Sequence, residues 1–344
     1  MVMKSEKKKT GVCLFGAGRA GMIHARNFRN NVPGAQLVAI TDSRRELAEN
    51  ASKELGIERF YTDYKYALDD ESVDAAVIAT PTVYHKEIAV AASEAGKHIL
   101  CEKPMALSEE ECDGMIFAAE KNGVILQIAF MRRFDKSFIH AKSVVESGEI
   151  GDVVLVKSLT RGPSNPREWM YDIEKSNGPL AEVNSHDIDT LRWFTESEFE
   201  TVYATGANYR CRQVKEKFPD FYDNVILAAT FFNGMQGAID GALAVEYGYD
   251  ARVEILGNRG VIFIGRKQEL TVETVTKDGG SSVPFVSSWR NLFKDAYLAE
   301  DIHFMESIQN RRTPGVTGFD GKMAVRVARA GNLSIKEKRI VTLS

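Results

Sequence analysis

The run Gly16-Ala17-Gly18-Arg19-Ala20-Gly21 follows the apolar stretch Val12 to Phe15 and opens a segment with helical character. Strand, glycine turn and helix in that order read as a dinucleotide-binding turn. Gly16 allows the tight turn, Gly18 lets the backbone approach a pyrophosphate, and Gly21 lets the helix pack on the strand. The helix N-terminus then faces the anion. A glycine pattern alone is a weak signal, because such turns also close strands that bind nothing. Here the flanking elements are the required ones, and Asp42 follows a second apolar run, Gln36 to Ile40, at the expected distance of about 20 residues. A carboxylate there accepts both ribose hydroxyls of the adenosine and repels a 2'-phosphate, which favours NAD over NADP. Arg19, Ala20 and Met22 in the turn, with Ser43 beside the carboxylate, complete the expected cofactor contacts on this side. Arg44 and Arg45 bear on the same choice: a guanidinium near that ribose can hold a phosphate bidentately, or the two can solvate the first helical turn.

At 344 residues the chain has room for two domains of roughly 150 residues each. Lys and Arg total 44 against 48 Asp and Glu, a net charge of -4, so no broad basic surface for nucleic acid is implied and small molecules are the expected partners. The Lys-rich start, Lys4 to Lys9, imitates a signal peptide, but the apolar run after it is too short for export or for a membrane span. Cys13, Cys101, Cys112 and Cys211 form no CxxC pair, and a reducing cytoplasm is the expected compartment.

From Thr10 to about Ala129, Val12-Phe15, Leu37-Ile40, Ala75-Ala79, His98-Cys101 and Val124-Ile128 alternate with helical stretches, the pattern of a parallel sheet covered by helices. Val83 to Ala95 reads as one helix, and Ser108 with Glu111 as the capping box of another. After Ala129 the rhythm changes. Val153-Thr160, Thr201-Tyr209, Val225-Phe232, Gly237-Leu243, Arg252-Leu256 and Leu270-Thr276 are successive strand candidates, with helices expected over Leu180-Phe194, Ala299-Gln309 and Phe319-Glu337. The fold class is α/β: a Rossmann dinucleotide-binding domain over 1–129, then an α+β domain over 130–344 with a large, mostly antiparallel open sheet for substrate binding and oligomerisation. Helices on one face leave the other exposed and partly apolar, which suggests a subunit contact, and the two domains are expected to share a cleft.

Ligands of open parallel sheets sit beyond the carboxyl ends of the strands. Thr80-Pro81-Thr82 through His85 follows one strand and Glu102-Lys103-Pro104 another, so both can border a nicotinamide. Pro104 disfavours the helical region for Lys103 and holds it extended at the strand end. In a dry cleft its ammonium can orient a hydroxyl and stabilise a developing alkoxide; the plain alternative is a surface lysine. Downstream, Glu182 and His186 stand four apart, which on one helix places them on one face. A histidine there can take a hydroxyl proton while a carboxylate sets its tautomer or contacts substrate, or the two form only a local helix pair. A zinc site has little support, since no HExxH or cysteine cluster is present and no metal is expected. His24, His98, His140 and His303 read as structural.

Taken together these residues resemble the glucose-fructose oxidoreductase, inositol dehydrogenase and rhizopine-catabolism family, Gfo/Idh/MocA. The resemblance spans nearly the whole chain. Gly16 through Ala25 is similar to the family's opening, Ala79-Thr80-Pro81-Thr82 through His85 to its second cofactor loop, and Glu102-Lys103-Pro104 to its EKP signature. Phe130-Met131-Arg132-Arg133-Phe134-Asp135 resembles the inositol dehydrogenase branch, as do Tyr247 to Arg252 and Glu254 to Gly260. The resemblance implies that His186 is the general base, that Lys103 orients the reacting oxygen, and that Met131, Arg132 and Tyr249 border the substrate. The family commonly carries aspartate where this chain has Glu182, a departure that puts simple myo-inositol specificity in doubt and leans toward sugars. Trp169, in the insertion-like segment Gly162 to Trp169, can stack on a sugar ring or an aglycone, or anchor its own loop.

The implied activity is NAD-dependent, reversible oxidation of a secondary ring hydroxyl in a cyclic polyol, sugar or glycoside, inositol and the 3-hydroxyl of a glucoside being examples. Two rivals stand beside it: a glycosidase that retains NAD and oxidises its sugar transiently before elimination, and a non-catalytic NAD-binding regulator. A homodimer or homotetramer is expected from the resemblance.

Overall fold

The uncharged run Val12 to Phe15 is buried on both faces, as a central strand of a parallel sheet must be. The structure is a computed structural model describing residues 9–265, 272–275 and 281–344. Two units are distinguished, one of residues up to 131 together with 297–322, the other of 132–296 with 323–344.

In the first unit the order is β1 (Thr10–Phe15), α1 (Gly21–Asn30), β2 (Ala35–Thr41), α2 (Arg45–Leu55), β3 (Arg59–Tyr61), α3 (Tyr64–Leu68), β4 (Ala75–Ile78), α4 (His85–Glu94), β5 (His98–Glu102), α5 (Glu109–Asn122) and β6 (Leu126–Ala129). The strands run in the order β3-β2-β1-β4-β5-β6, and every pairing is parallel. This is the Rossmann order, whose strand direction of growth reverses between β1 and β4, where the ligand crevice opens. Small β3 and α3 had no periodic signal and were not anticipated. The capping box holds with one change of partner: Ser108 Oγ accepts from Glu111 N, while Glu111 Oε2 accepts from Leu107 N, one residue earlier than the usual reciprocal bond.

The second unit's chain passes through α6 (Lys136–Glu146), β7 (Val153–Arg161), α7 (Ile173–Ser176), α8 (Gly178–Glu182), α9 (Ser185–Thr195), β8 (Phe199–Ala207), β9 (Asn224–Phe231), β10 (Gln236–Ala242), β11 (Asp250–Gly257), β12 (Val261–Ile264), the short pair β13 (Thr274–Val275) and β14 (Ser281–Ser282), and α10 (Trp289–Leu292). Then come α11 (Lys294–Asn310), α12 (Gly318–Glu337) and β15 (Val341–Thr342). Seven strands form one sheet in the order β12-β11-β7-β10-β9-β8-β15. All neighbours are antiparallel except β7 and β10, which run parallel. The sheet is therefore mixed and mostly antiparallel, as the strand spacing implied. Edge strands β12 and β15 were not foreseen, and Leu270, Thr271 and Thr276 of the expected strand Leu270–Thr276 lie outside the described residues.

Alternation along the strands separates the two faces. Val156, Leu227 and Ile239 point into the core, where α8 and α12 press close enough that a Cβ on Gly331 would meet Leu180 and Leu227. Tyr203, Ile226, Leu256 and Phe263 point the other way and are exposed, Phe263 at 73%. Residues 297–322, which a single boundary near 129 assigns to the second domain, pack in the first unit: Gly321 abuts Met105 and Ile128, and Lys322 reaches Asp113 at 2.7 Å. Among the described residues no helix is long and apolar enough to cross a membrane.

Candidate active site

The glycine turn explains itself atom by atom. Gly16 has φ +98°, and a Cβ there would stand 2.6 Å from the Ala79 carbonyl of the neighbouring β4 loop. At Gly21 a Cβ would fall 2.0 Å from the Gly16 carbonyl, so helix α1 can start only this close to β1 without a side chain. A Cβ on Gly18 would meet nothing within 4 Å, which leaves its backbone open to a ligand. Helix α1 carries no side-chain cap and no acidic residue in its first turn, so the positive end of its dipole favours an anion such as a phosphate there. Arg19 is exposed beside this end, Ala20 occupies the N-cap, and Met22 is half-buried against the core.

Beyond β2, Asp42 is 6% exposed. Its Oδ2 accepts from Ala17 N at 3.0 Å and its Oδ1 from Arg44 N at 2.9 Å, tying the carboxylate to the glycine turn. Arg44 also places Nε 3.1 Å from Oδ1 and Nη2 3.3 Å from Oδ2. It thus does more than solvate a helical turn, because its guanidinium lies on the carboxylate expected to meet the ribose. Arg45 instead stacks over Phe60 at 5.4 Å, and Ser43 is exposed.

After β4, Thr80 Oγ1 is buried with no hydrogen-bond partner among the described residues. An orphaned hydroxyl in the crevice is a group for a ligand to satisfy. Pro81 is exposed and Thr82 buried at the start of the following turn. His85, expected to touch the cofactor, is instead fully enclosed: Nδ1 lies 2.9 Å from the Pro104 carbonyl and Nε2 2.9 Å from that of Thr80. It therefore fastens the loop after β4 to the loop after β5. Burial lowers its pKa, the two carbonyls acting in the opposite direction. Glu102 is buried at the end of β5, and Lys103, half-buried, comes next. Open Gly18, a helix end with no side-chain cap, the Asp42 carboxylate and the Thr80 hydroxyl together fit a dinucleotide.

In the second unit the reading of one helix over Leu180–Phe194 does not hold. Glu182 ends α8 and His186 lies in the first turn of α9, with a break at Val183 and Asn184, so the two are not an i, i+4 pair. Asn184 sits where a Cβ on Gly241 would be, 2.2 Å from its Oδ1, and its Nδ2 donates to Asp187 Oδ2 at 2.8 Å. Glycine on the adjoining strand makes room for the residue that starts the second helix.

Asp187 anchors a closed polar lattice. Its Oδ1 accepts from Arg132 Nη1 at 2.8 Å, Ser158 Oγ at 2.5 Å and Thr160 Oγ1 at 2.9 Å, and Arg132 Nη2 donates to Thr160 Oγ1 at 2.6 Å. Arg132 is 1% exposed, and its guanidinium carbon stands 5.9 Å from the Phe138 ring and 5.7 Å from that of Phe293. It was expected to border the substrate, yet both Nη groups are engaged inside the fold. Breaking such a buried pair costs about 3–5 kcal/mol, so Arg132 holds α9 against β7. His186, on α9, is 6% exposed, and its carbonyl accepts from Thr190 Oγ1 at 2.7 Å. Ser185 Oγ beside it is buried without a partner among the described residues. Tyr249 is buried edge-on to Phe293 at 6.5 Å. Trp169 is half-buried in a short 3-10 turn whose Tyr171 packs on Phe218 and Phe221. Met131 is buried in the first unit, where it is a packing residue.

Residues 10–130 match the NAD-binding Rossmann fold of the Gfo/Idh/MocA oxidoreductase family, and residues 142–343 match that family's C-terminal alpha/beta domain. The chain belongs to the Gfo/Idh/MocA oxidoreductases. Its relatives in this family include the scyllo-inositol 2-dehydrogenase (NAD(+)) of Bacillus subtilis, 34% identical with 96% of this chain and 95% of that protein covered. The myo-inositol 2-dehydrogenase of Thermotoga maritima is also 34% identical, over 96% and 97%. The scyllo-inositol dehydrogenase of Lactobacillus casei, solved with NAD(H) and scyllo-inositol, superposes with a TM-score of 0.88 at 28% identity, covering 97% of this chain and 99% of that one. As a Gfo/Idh/MocA member the protein is an oxidoreductase with an NAD-binding Rossmann unit.

Proposed function

We propose that this oxidoreductase converts a secondary ring hydroxyl of an inositol-like cyclic polyol to a ketone, reversibly. The observation that carries the reading is near-full-length similarity to inositol dehydrogenases, joined to a lysine at the carboxyl end of β5 and a histidine in the first turn of α9. NAD, when bound, supplies the acceptor for the hydride leaving the carbinol carbon. Asp42 would take the adenosine ribose hydroxyls, the α1 N-terminus the pyrophosphate, and Thr80 Oγ1 would donate to the cofactor. The hydroxyl proton passes to the His186 imidazole as the carbonyl forms, while the Lys103 ammonium orients the oxygen and stabilises its developing charge. Glu182, Tyr249 and Trp169 would border the ring, and Arg132 would act from behind by fixing Asp187 and thereby α9. The lean toward glycosides rested on Glu182 and Trp169; the similarity to inositol dehydrogenases favours inositols instead.

The test is purified protein with NAD and, separately, myo-inositol, scyllo-inositol, glucose, xylose and aryl glucosides, following NADH absorbance and product mass. NADH with an inositol product two mass units lighter is the expected result. Aglycone release without NADH would replace this reading by the NAD-retaining glycosidase, and no turnover of any sugar would leave the regulator.

The outward sheet face of the second unit, with Tyr203, Ile226, Leu256 and Phe263 exposed, supports self-association into a homodimer or homotetramer. Sedimentation velocity should show one of these at micromolar concentration and a shift toward monomer in Phe263→Lys; a monomeric wild type would refute it.

A further inference from the structure

Beside the end of β5, four ionisable side chains of the first unit are closed off from water: His24 of α1, Glu102 of β5, and Glu300 and Asp301 of α11. The His24 ring puts Nδ1 2.6 Å from Asp301 Oδ1 and Nε2 3.3 Å from Glu102 Oε1. Each ring nitrogen faces a carboxylate oxygen, and only the doubly protonated ring offers a donor to both. The remaining oxygens are also used. Asp301 Oδ2 accepts from Asn27 Nδ2 at 2.8 Å, and Glu102 Oε2 accepts the backbone N–H of Lys103 at 3.1 Å. Tyr297 stands edge-on to the ring at 5.4 Å. An unbroken line of contacts therefore runs from Asn27 through Asp301, His24 and Glu102 to the backbone of Lys103.

Charge agrees with geometry. Burial opposes the imidazolium, but Asp301 and Glu102 outweigh it and hold the His24 pKa well above its ordinary value. Burial likewise pushes Glu102 upward, and His24 and Lys103 more than reverse it, keeping the carboxyl ionised. Burial raises Asp301 too, against the pull of the His24 ring and of Asn27, which donate to it. Glu300 is pushed well above the carboxylate range by burial and by its two acidic neighbours, against the pull of His24, so it adds no third negative charge.

One carboxylate would suffice to satisfy a buried histidine. The second one holds the amide of the residue given the alkoxide-stabilising role above. We propose that His24 is a positioning residue for Lys103: its imidazolium, oriented by Asp301, fixes the Glu102 carboxylate that anchors the Lys103 backbone. The inference rests on the role assigned to Lys103 in the proposed reaction.

The experiment uses the full-length protein labelled with [ε-13C]lysine, the Lys103 signal being assigned by its loss in Lys103→Arg. Wild type, His24→Gln, Asp301→Asn, Glu102→Gln and the His24→Gln/Glu102→Gln double variant are compared by the Lys103 ε-13C signal at one pH, NAD binding and steady-state kinetics. His24→Gln should displace the Lys103 ε-13C signal from its wild-type position, as Glu102→Gln does. It should lower kcat about tenfold or more with KM for NAD within about threefold, and the double variant should be no worse than the worse single one. Asp301→Asn should act in the same direction more weakly, and it decides the matter if His24→Gln does not fold. An unmoved Lys103 signal with unchanged kcat in the folded variants, or losses that multiply in the double variant, would overturn the proposal. Absence of polyol turnover in the wild type would defeat the proposed reaction, while the Lys103 NMR signal would still decide the positioning role.

Discussion

Replacing His186 by alanine should lower kcat by about 10²- to 10⁴-fold, the range for loss of a positioned general base, and leave NAD affinity within about threefold. His186 lies in the first turn of α9 and is 6% exposed. The adjacent Asp187 carboxylate is matched by Arg132 at 2.8 Å and by two hydroxyls. His186→Ala removes the proton acceptor and keeps the bonds of Asp187 to Arg132, Ser158 and Thr160. Lys103→Met should give a comparable loss, because the methylene stem is preserved while the charge facing the developing alkoxide is gone. Stopped-flow and steady-state assays with the best inositol would measure both. Near-normal turnover in either variant would remove that residue from the mechanism.

The second large effect is expected at the ribose end. Asp42→Ala should weaken NAD by roughly 10- to 100-fold, since hydrogen bonds to a charged group are worth about 1.5–3 kcal/mol. The same change should raise the relative use of NADP. The carboxylate that repels a 2'-phosphate disappears, and Arg44, now held by Asp42 through Nε and Nη2, is released to pair with the phosphate. Asp42 also accepts the Ala17 amide, so part of the NAD loss comes from a loosened glycine turn. Arg44→Ala separates these contributions: the carboxylate and its bond to Ala17 persist, and NAD binding should stay close to wild type. Titration of both variants with both cofactors, read by fluorescence, gives the ratio directly. An unchanged NADP to NAD preference in Asp42→Ala would mean that this carboxylate does not set cofactor choice.

Much of this was legible from local sequence, and the exceptions have physical causes. The backbone demands at Gly16 and Gly21 were readable from their spacing, because a turn at φ +98° and a helix start against the Gly16 carbonyl are short-range features. Most strands of both sheets were readable from apolar runs, but β3, β12 and β15 were not. The split between α8 and α9 was not, because a spacing of four between Glu182 and His186 is equally compatible with one helix. The signal lay in Asn184 and Asp187, a cap-type residue followed three later by an acid, whose side chains bond to each other at 2.8 Å. Arg132 looked like a substrate contact because nothing local announces that Asp187, Ser158 and Thr160 enclose it. His24 read as structural, and its partner Asp301 lies 277 positions away, beyond any periodicity. The available clue was an acidic pair on the face of α11 that also buries Tyr297, Phe304 and Met305, since carboxylates at core positions are rarely left unpaired. His85 opens α4 rather than lying in the loop after β4, and its role as a fastening between two loops follows only from the carbonyls it meets.

The return of residues 297–322 to the first unit changes how that unit must come into being during synthesis. When residue 131 leaves the ribosome, the chain has all six parallel strands but neither Asp301 nor the helix that carries it. At about 5–20 residues per second, roughly 10–40 s of further translation separates the last strand from that helix. Through this interval His24 and Glu102 lack the acid that completes their buried line, while most of the mixed-sheet unit is being made. The dinucleotide-binding unit comes first in sequence order but is finished late, its closing helix arriving after most of the second unit has been translated.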